Sequence, residues 1–189
     1  NNIKERAILI GIGAGSIDKR RQWPAERFSS VIRGLLEDDN SIVAVLFGDN
    51  AESAISAHIR ESLGKELAGR LIDTSGKTAL RQTAALLKHC RLYIGNDTGI
   101  MHIAAAMKAP VVEISRWPKT DLPITNASPH FFAPWRVKHK ILNPDRPTPP
   151  CKEGCQSLAA HCILGVKVED VEEAAREILS VGKGQQDGR

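Results

Sequence analysis

The sequence predicts an α/β protein built on a doubly wound parallel sheet. Three observations carry that expectation: short apolar runs without alternation, amphipathic helical stretches between them, and connections of only a few residues. Strands covered on both faces read as near-continuous apolar runs. Strand and helix alternate five times, which is the pattern of parallel strands joined by helical crossovers.

The strands are read at "AILIGIG" (7–13), "SIVAVLFG" (41–48), "RLIDT" (70–74), "RLYIGND" (91–97) and "APVVEIS" (109–115). Behind Pro24, a residue suited to a first helical turn, Phe28, Val31, Ile32, Leu35 and Leu36 fall at helical spacing. A second helix is read over 51–64 from Ile55, Ile59 and Leu63, and a third over 78–88 from Leu80, Ala84 and Leu87. Residues 99–107 form a short Ala-rich helix, and Val168, Val171, Ala175, Ile178 and Leu179 share one face of a last helix at 168–181. From about 116 to 165 the periodicity vanishes, and eight of the ten prolines lie between 118 and 150. An irregular stretch of that length in a compact domain is usually functional or a surface wrap. The tail at 183–189 reads as disordered, and no repeat or low-complexity tract is visible.

At 189 residues, with 42% apolar and 25% charged residues, the chain has the balance of one globular domain. Its net charge of +4 suits an anionic ligand or membrane headgroups and is too weak to argue for nucleic acid. No apolar run reaches the roughly 18 residues that span a bilayer, and no signal peptide is seen. Four cysteines (Cys90, Cys151, Cys155 and Cys162) are too few and too clustered for a secreted disulfide scaffold, so the expected compartment is the cytosol. The chain opens Asn1-Asn2 without methionine, which reads as a piece of a longer protein.

Ligands of open parallel sheets bind at the carboxyl ends of the strands, and the polar residues gather there. The first strand runs into a turn with Gly11, Gly13, Gly15 and Ser16, a place where backbone can approach a ligand closely. The spacing G-x-G-x-G is not the dinucleotide fingerprint, and no P-loop is present. Lys19, Arg20 and Arg21 precede the first helix, where their charges either meet phosphates or remain a solvated basic loop. Glu52 opens the second helix, either to accept from ribose hydroxyls or to complement the helix dipole. The fourth strand ends in "GNDTGIMHIAAA": Asp97, Thr98 and Gly99 lead into a helix whose free N–H groups make an anion site. Asp97 is equally readable as that helix's N-cap, and a lone histidine such as His102 is more often structural than a ligand.

The stretches "GAGSIDKRRQWPAERF", "FGDNAES", "LIDTSGKTALRQTAALLKHCRLYIGNDTGIMHIAAAMKAPVVEIS" and "NASPHFFAPW" together resemble the C-terminal half of glycosyltransferase family 9 over residues of about 7 to 180. Its best-known members are the ADP-heptose:lipopolysaccharide heptosyltransferases. The resemblance implies the C-terminal half of a GT-B fold, a Rossmann-like domain at 1–182 that binds the nucleotide-sugar donor. The acceptor site and the catalytic base would belong to an N-terminal domain absent from this chain, so no catalytic residue is expected here. By the same resemblance Thr98 and Gly99 hold the diphosphate, Asp97 approaches the sugar, His102 lines the same pocket and Glu52 takes the ribose. Ser16 joins them among the donor-binding groups. Arg21 stands where many members have the lysine of K-R-W-P, with Gln22 in place of the following arginine. The implied reaction is an inverting, metal-independent transfer of heptose from ADP-heptose to a lipopolysaccharide core, with no cofactor. The implied place is the cytoplasm, with peripheral contact to the inner membrane as a further expectation. A transferase using another nucleotide-sugar, or a nucleotide-binding module without transferase activity, fits the same residues.

Cys151, Cys155, His161 and Cys162 are enough for a tetrahedral Cys3His zinc site. The spacing C-x3-C-x5-H-C is unlike the usual C-x2-C pairs, and the adjacency of His161 and Cys162 is awkward for one metal. Reduced thiols or an incidental disulfide is therefore the preferred expectation, and similar runs recur in parts of the resembled family without a catalytic part.

Overall fold

The computed structural model describes residues 7–119, 129–151 and 157–181. Its centre is β1 (Ile8–Gly13), where Ile10 and Ile12 are fully buried on one face and Gly11 and Gly13 lie on the other. Four further predicted strands follow: β2 (Ile42–Leu46), β3 (Leu71–Asp73), β4 (Leu92–Asn96) and β5 (Val111–Ile114). A sixth, β6 (His139–Leu142), was not expected from the sequence. All neighbours run parallel in the order β3-β2-β1-β4-β5-β6.

Five of the six helices among the described residues fall where apolar spacing puts them. α1 (Ala25–Asp38) buries Phe28, Val31, Ile32, Leu35 and Leu36, and Trp23 meets Phe28 edge to face at 5.1 Å. α2 (Ser53–Ala68) runs beyond the predicted end at 64, through a kink where Gly64 takes φ 73°. α3 (Leu80–Leu87), α4 (Gly99–Ala106), the single turn α5 (Pro129–Phe132) and α6 (Val168–Val181) complete the set. The sheet separates two cores. One joins Ile10, Ile12, Leu46, Ile94 and Val112 to residues of α1, α2 and α6. The other joins Val45, Phe47, Tyr93 and Val111 to Leu87 of α3 and to Met101, Ala104 and Ala105 of α4.

Two expectations need correction. Leu80 does not face the core; it is 69% exposed, at the start of α3. The stretch from 116 to 165, expected to be irregular, contains a strand, because β6 pairs with β5 from Val111↔His139 to Ile114↔Leu142. β6 was illegible because it is short and at the sheet edge, with a half-polar sequence whose Lys140 reaches Glu177 of α6 at 2.8 Å. The expected disordered tail lies outside the described residues. Among the described residues, no helix is long and apolar enough to cross a membrane.

Candidate functional site

In the order β3-β2-β1-β4-β5-β6, the chain leaves β1 toward α1 on one face of the sheet and leaves β4 toward α4 on the other. The two connections diverge and leave a crevice above the carboxyl ends of these strands. A cavity of about 710 Å³ lies there, a size ordinary for a small-molecule site. Ser16, Arg21, Glu52, Asp97, Thr98 and Gly99 all line it. Six of the seven residues singled out from the sequence are thus brought together.

Asn96 is what joins the two sides. It is fully buried at the end of β4, and its Nδ2 donates to the Ala14 carbonyl at 2.9 Å and to the Gly15 carbonyl at 3.2 Å. Its Oδ1 accepts from the Trp23 amide at 3.1 Å. One amide side chain therefore staples the turn after β1, and the approach to α1, onto the end of β4. In the sequence Asn96 stands only within the run "GNDTGIMHIAAA" and is not singled out.

The basic run is sorted by its partners. Asp18 caps the 3-10 turn Lys19–Arg21 by accepting from the Arg20 amide. The Arg20 guanidinium grips the same carboxylate at 2.8 and 2.9 Å and pulls its pKa down to about 2. Lys19 Nζ donates to Gln22 Oε1 at 2.9 Å. Of the three cations only Arg21 lines the cavity. Its NH1 donates to Asp97 Oδ2 at 2.9 Å and to the Asp97 carbonyl at 3.3 Å. Its Nε has no hydrogen-bond partner among the described residues, the nearest carboxylate oxygen of Asp18 being 3.6 Å away.

That pairing settles the role of Asp97 in the fold: it holds Arg21 and is not the helix cap. The N-cap position of α4 is Thr98, whose side chain makes no capping bond. The N–H groups at the start of α4 are therefore not closed by a side chain and lie beside the cavity, where the helix dipole favours negative charge.

Glu52 has the helix-start role and also lines the cavity. It forms a reciprocal capping box with Asp49, accepting from the Asp49 amide at Oε2 while Asp49 Oδ1 accepts from the Glu52 amide. The same carboxylate rests against the turn after β1, where a Cβ on Gly15 would stand 1.8 Å from Oε1. Burial raises the Glu52 pKa. Gly11, by contrast, is not a turn residue; it lies inside β1 in the register opposite Tyr93.

The connection from β3 to α3 completes the wall and had no place in the residue-level prediction. Gly76, at φ 67°, packs so close to Asn50 that a Cβ would lie 1.9 Å from its Oδ1. Thr78, Thr83 and the exposed Leu80 add to the lining. The rule that ligands sit at strand ends applies to β3 as much as to β1, and would have pointed here.

His102 departs from expectation. It lines not the main cavity but an adjoining one of about 260 Å³, which shares Arg21, Asp97, Thr98 and Gly99 and is closed by Phe132. His102 Nε2 stands 4.0 Å from Asp97 Oδ1, and its ring meets Phe132 edge to face at 6.2 Å.

Glu113 was missed altogether. It is fully buried on β5, and neither carboxylate oxygen has a hydrogen-bond partner among the described residues. Burial first, and then the charge of Asp97, push its pKa up to about 8 against the pull of Arg21. Nothing in a run of apolar strand residues signals this; only its place beside the Asp97–Arg21 pair gives it meaning.

Cysteines divide in the same way. Cys90 is buried in the core under α3 and its thiol is pushed up to about 12, so it is inert. Cys151, His161 and Cys162 converge, with all three ligand atoms within 4.8 Å of one another, while Cys155 lies outside the described residues.

The chain matches the family model described as glycosyltransferase family 9 (heptosyltransferase) over residues 2–161. Lipooligosaccharide heptosyltransferase 2 of Haemophilus influenzae is 27% identical over 110 residues, a match that covers 58% of this chain and 31% of that protein. The structure of Escherichia coli ADP-heptose lps heptosyltransferase II aligns with a TM-score of 0.76 and 21% identity, covering 95% of this chain and 49% of that one. E. coli heptosyltransferase WaaC with ADP aligns with a TM-score of 0.63 and 17% identity, over 92% of this chain and 45% of that one. The chain thus spans about a third of the first curated relative and about half of these solved proteins, whose fold it shares with a GT-B half. A six-stranded parallel sheet, a crevice at its switch point and a family match over most of the sequence lead to one conclusion: the chain belongs to glycosyltransferase family 9.

Proposed function

We propose that this chain is the donor-binding domain of a heptosyltransferase and holds ADP-heptose in the crevice between β1 and β4. The observation that carries the reading is the meeting of Arg21, Glu52 and the uncapped start of α4 on one cavity. Those groups match the parts of a nucleotide-sugar. The diphosphate lies on the Thr98–Gly99 end of α4 and takes the Arg21 Nε–H; ribose hydroxyls donate to Glu52; the sugar extends past Asp97 toward His102. The ADP seen with the fold neighbour WaaC is consistent with this assignment.

The chemistry is an inverting displacement. A hydroxyl oxygen of a lipopolysaccharide core attacks the anomeric carbon, the bond from that carbon to the diphosphate oxygen breaks, and ADP leaves with the electron pair. A base on an acceptor domain outside this chain takes the hydroxyl proton. This domain contributes oriented N–H donors and a cation where negative charge grows on the leaving group, together with positioning. No divalent ion is needed for that stabilisation. An acceptor anchored in lipid would hold the protein at the cytoplasmic face of the inner membrane, and the net charge of +4 suits that surface.

Calorimetry with ADP, ADP-heptose and a UDP-sugar tests the reading, with magnesium omitted and then supplied. Binding of ADP and ADP-heptose, absence of the UDP-sugar and indifference to magnesium are expected. Selective binding of a UDP-sugar would replace the donor, and no binding of any nucleotide would remove the proposed function.

A further inference from the structure

The return of the chain after β6 places three soft ligands around one point, well apart in sequence from the residues of the donor cavity. Cys151 Sγ lies 3.5 Å from His161 Nδ1, and Cys162 Sγ lies 3.6 Å from the same nitrogen. Around a tetrahedral zinc ion, with metal–sulfur about 2.3 Å and metal–nitrogen about 2.05 Å, sulfur and nitrogen stand about 3.6 Å apart. The two sulfur–nitrogen separations match those of ligands on one ion, and all three ligand atoms lie within 4.8 Å of one another. Adjacency of His161 and Cys162 in sequence, the objection raised by the spacing, is therefore no obstacle.

The surroundings prepare these atoms for a cation. His161 Nε2 faces the Pro149 carbonyl at 3.1 Å; a carbonyl only accepts, so Nε2 carries the proton and Nδ1 presents its lone pair to the two sulfurs. The Thr148 amide donates to Cys162 Sγ at 3.4 Å, a contact that favours the thiolate. Cys151 and Cys162 are 3% and 5% exposed. Two thiolates with a divalent ion make a neutral unit, which can be buried where two bare thiolates cannot. Thiolate and imidazole ligands favour zinc over the hard cations that carboxylates prefer.

We propose that Cys151, His161 and Cys162 bind a structural zinc ion. The fourth corner of the tetrahedron is not assigned. The ion ties residues 148–151 to the 3-10 turn Cys162–Gly165, and that turn is fastened to the start of α1 and the residues just before it. Trp23 Nε1 donates to the Val166 carbonyl, and Arg27 NH1 donates to the carbonyls of Leu164 and Val166. Trp23 and Arg27 lie two and six residues after Arg21, so zinc would stiffen the return loop against the segment that presents the cation. The site stands on its own geometry, whatever nucleotide the crevice takes.

The test is metal content of the untagged chain, purified under reducing conditions from zinc-supplemented medium and dialysed against metal-free buffer. Mass spectrometry is expected to find one zinc per chain, released when the thiols are titrated with a mercurial. Cys162→Ser and His161→Ala should each retain less than about a tenth of it. Should those variants fail to fold, refilling the wild-type chain with Co²⁺ decides the matter. Strong visible ligand-field bands with a thiolate-to-cobalt charge-transfer band support the site, and the weak spectrum of an octahedral ion overturns it. Absence of zinc after dialysis, or full zinc retention by folded variants, also overturns it.

Discussion

Arg21 and Asp97 hold each other at the edge of the cavity, with Asp97 only 8% exposed at its side chain and Arg21 28%. Removing the cation leaves a nearly buried carboxylate without its partner, so Arg21→Ala should cost stability as well as ligand affinity. Thr98→Ala removes a hydroxyl that makes no capping bond and should leave the fold intact. Each substitution is expected to weaken ADP binding by about 1–3 kcal/mol, read by calorimetry, with circular dichroism showing an unchanged spectrum for Thr98→Ala. Unaltered affinity in both would remove the anion site. Glu113 makes a separate prediction. Its folded pKa, about 8, lies above the ordinary 4.5, so the folded state binds the proton more tightly than the unfolded chain. The resulting stabilisation is complete below pH 4.5 and is lost as pH rises through about 8. Thermal melts should therefore fall from pH 6 to 9 more steeply for the wild type than for Glu113→Gln; equal slopes would contradict the assignment.

Two connections, the turn after β1 and the turn after β4, make the site, and Asn96 binds them together through three hydrogen bonds. Asn96→Ala leaves the Trp23 amide and two carbonyls without that partner, and should lower stability by about 2–4 kcal/mol in urea unfolding. Gly15→Ala acts at the same level. Its Cβ collides with the Glu52 carboxylate, so it should reduce ADP affinity by displacing Glu52, and Gly15→Ala with Glu52→Ala should be non-additive in a double-mutant cycle. Additive losses would mean that the two residues act apart. These elements also show what a sequence can carry. The five predicted strands and five predicted helices were legible because each buries a continuous run or a stripe, as Ile10 and Ile12 do in β1. β6 was not, because an edge strand needs no such run. Leu80 was misread for the opposite reason: an apolar residue at helical spacing faces the cavity rather than the core. In the site, charged and glycine residues at strand ends were visible, whereas Asn96 and Glu113 depend on contacts across strands that spacing does not encode.

At the scale of the molecule, the sheet order sets the crevice between β1 and β4 and so sets where a ligand lies. In the proposed reading the domain supplies donor-binding groups, and the acceptor site and base belong elsewhere, since a base must reach the acceptor hydroxyl. With ADP-heptose and a lipopolysaccharide-core acceptor, the 189-residue chain alone should show no sugar transfer, and a protein joining it to an acceptor domain should show transfer. Comparable turnover by the chain itself would place both the base and the acceptor site within it. Chelators are a poor probe of metal independence here, because they would strip the thiolate site and loosen the loop beside Trp23; omission of magnesium is the clean comparison.

The central claim is that a nucleoside diphosphate binds at the carboxyl ends of β1 and β4. Titrating the isotope-labelled chain with ADP while following its backbone amide resonances tests it at the level of single residues. The largest shifts are expected at Gly15, Ser16, Glu52, Thr98, Gly99 and Ile100, all of which line the cavity. Saturable binding with those amides unmoved, and the shifts gathered at another face of the sheet, would contradict the account.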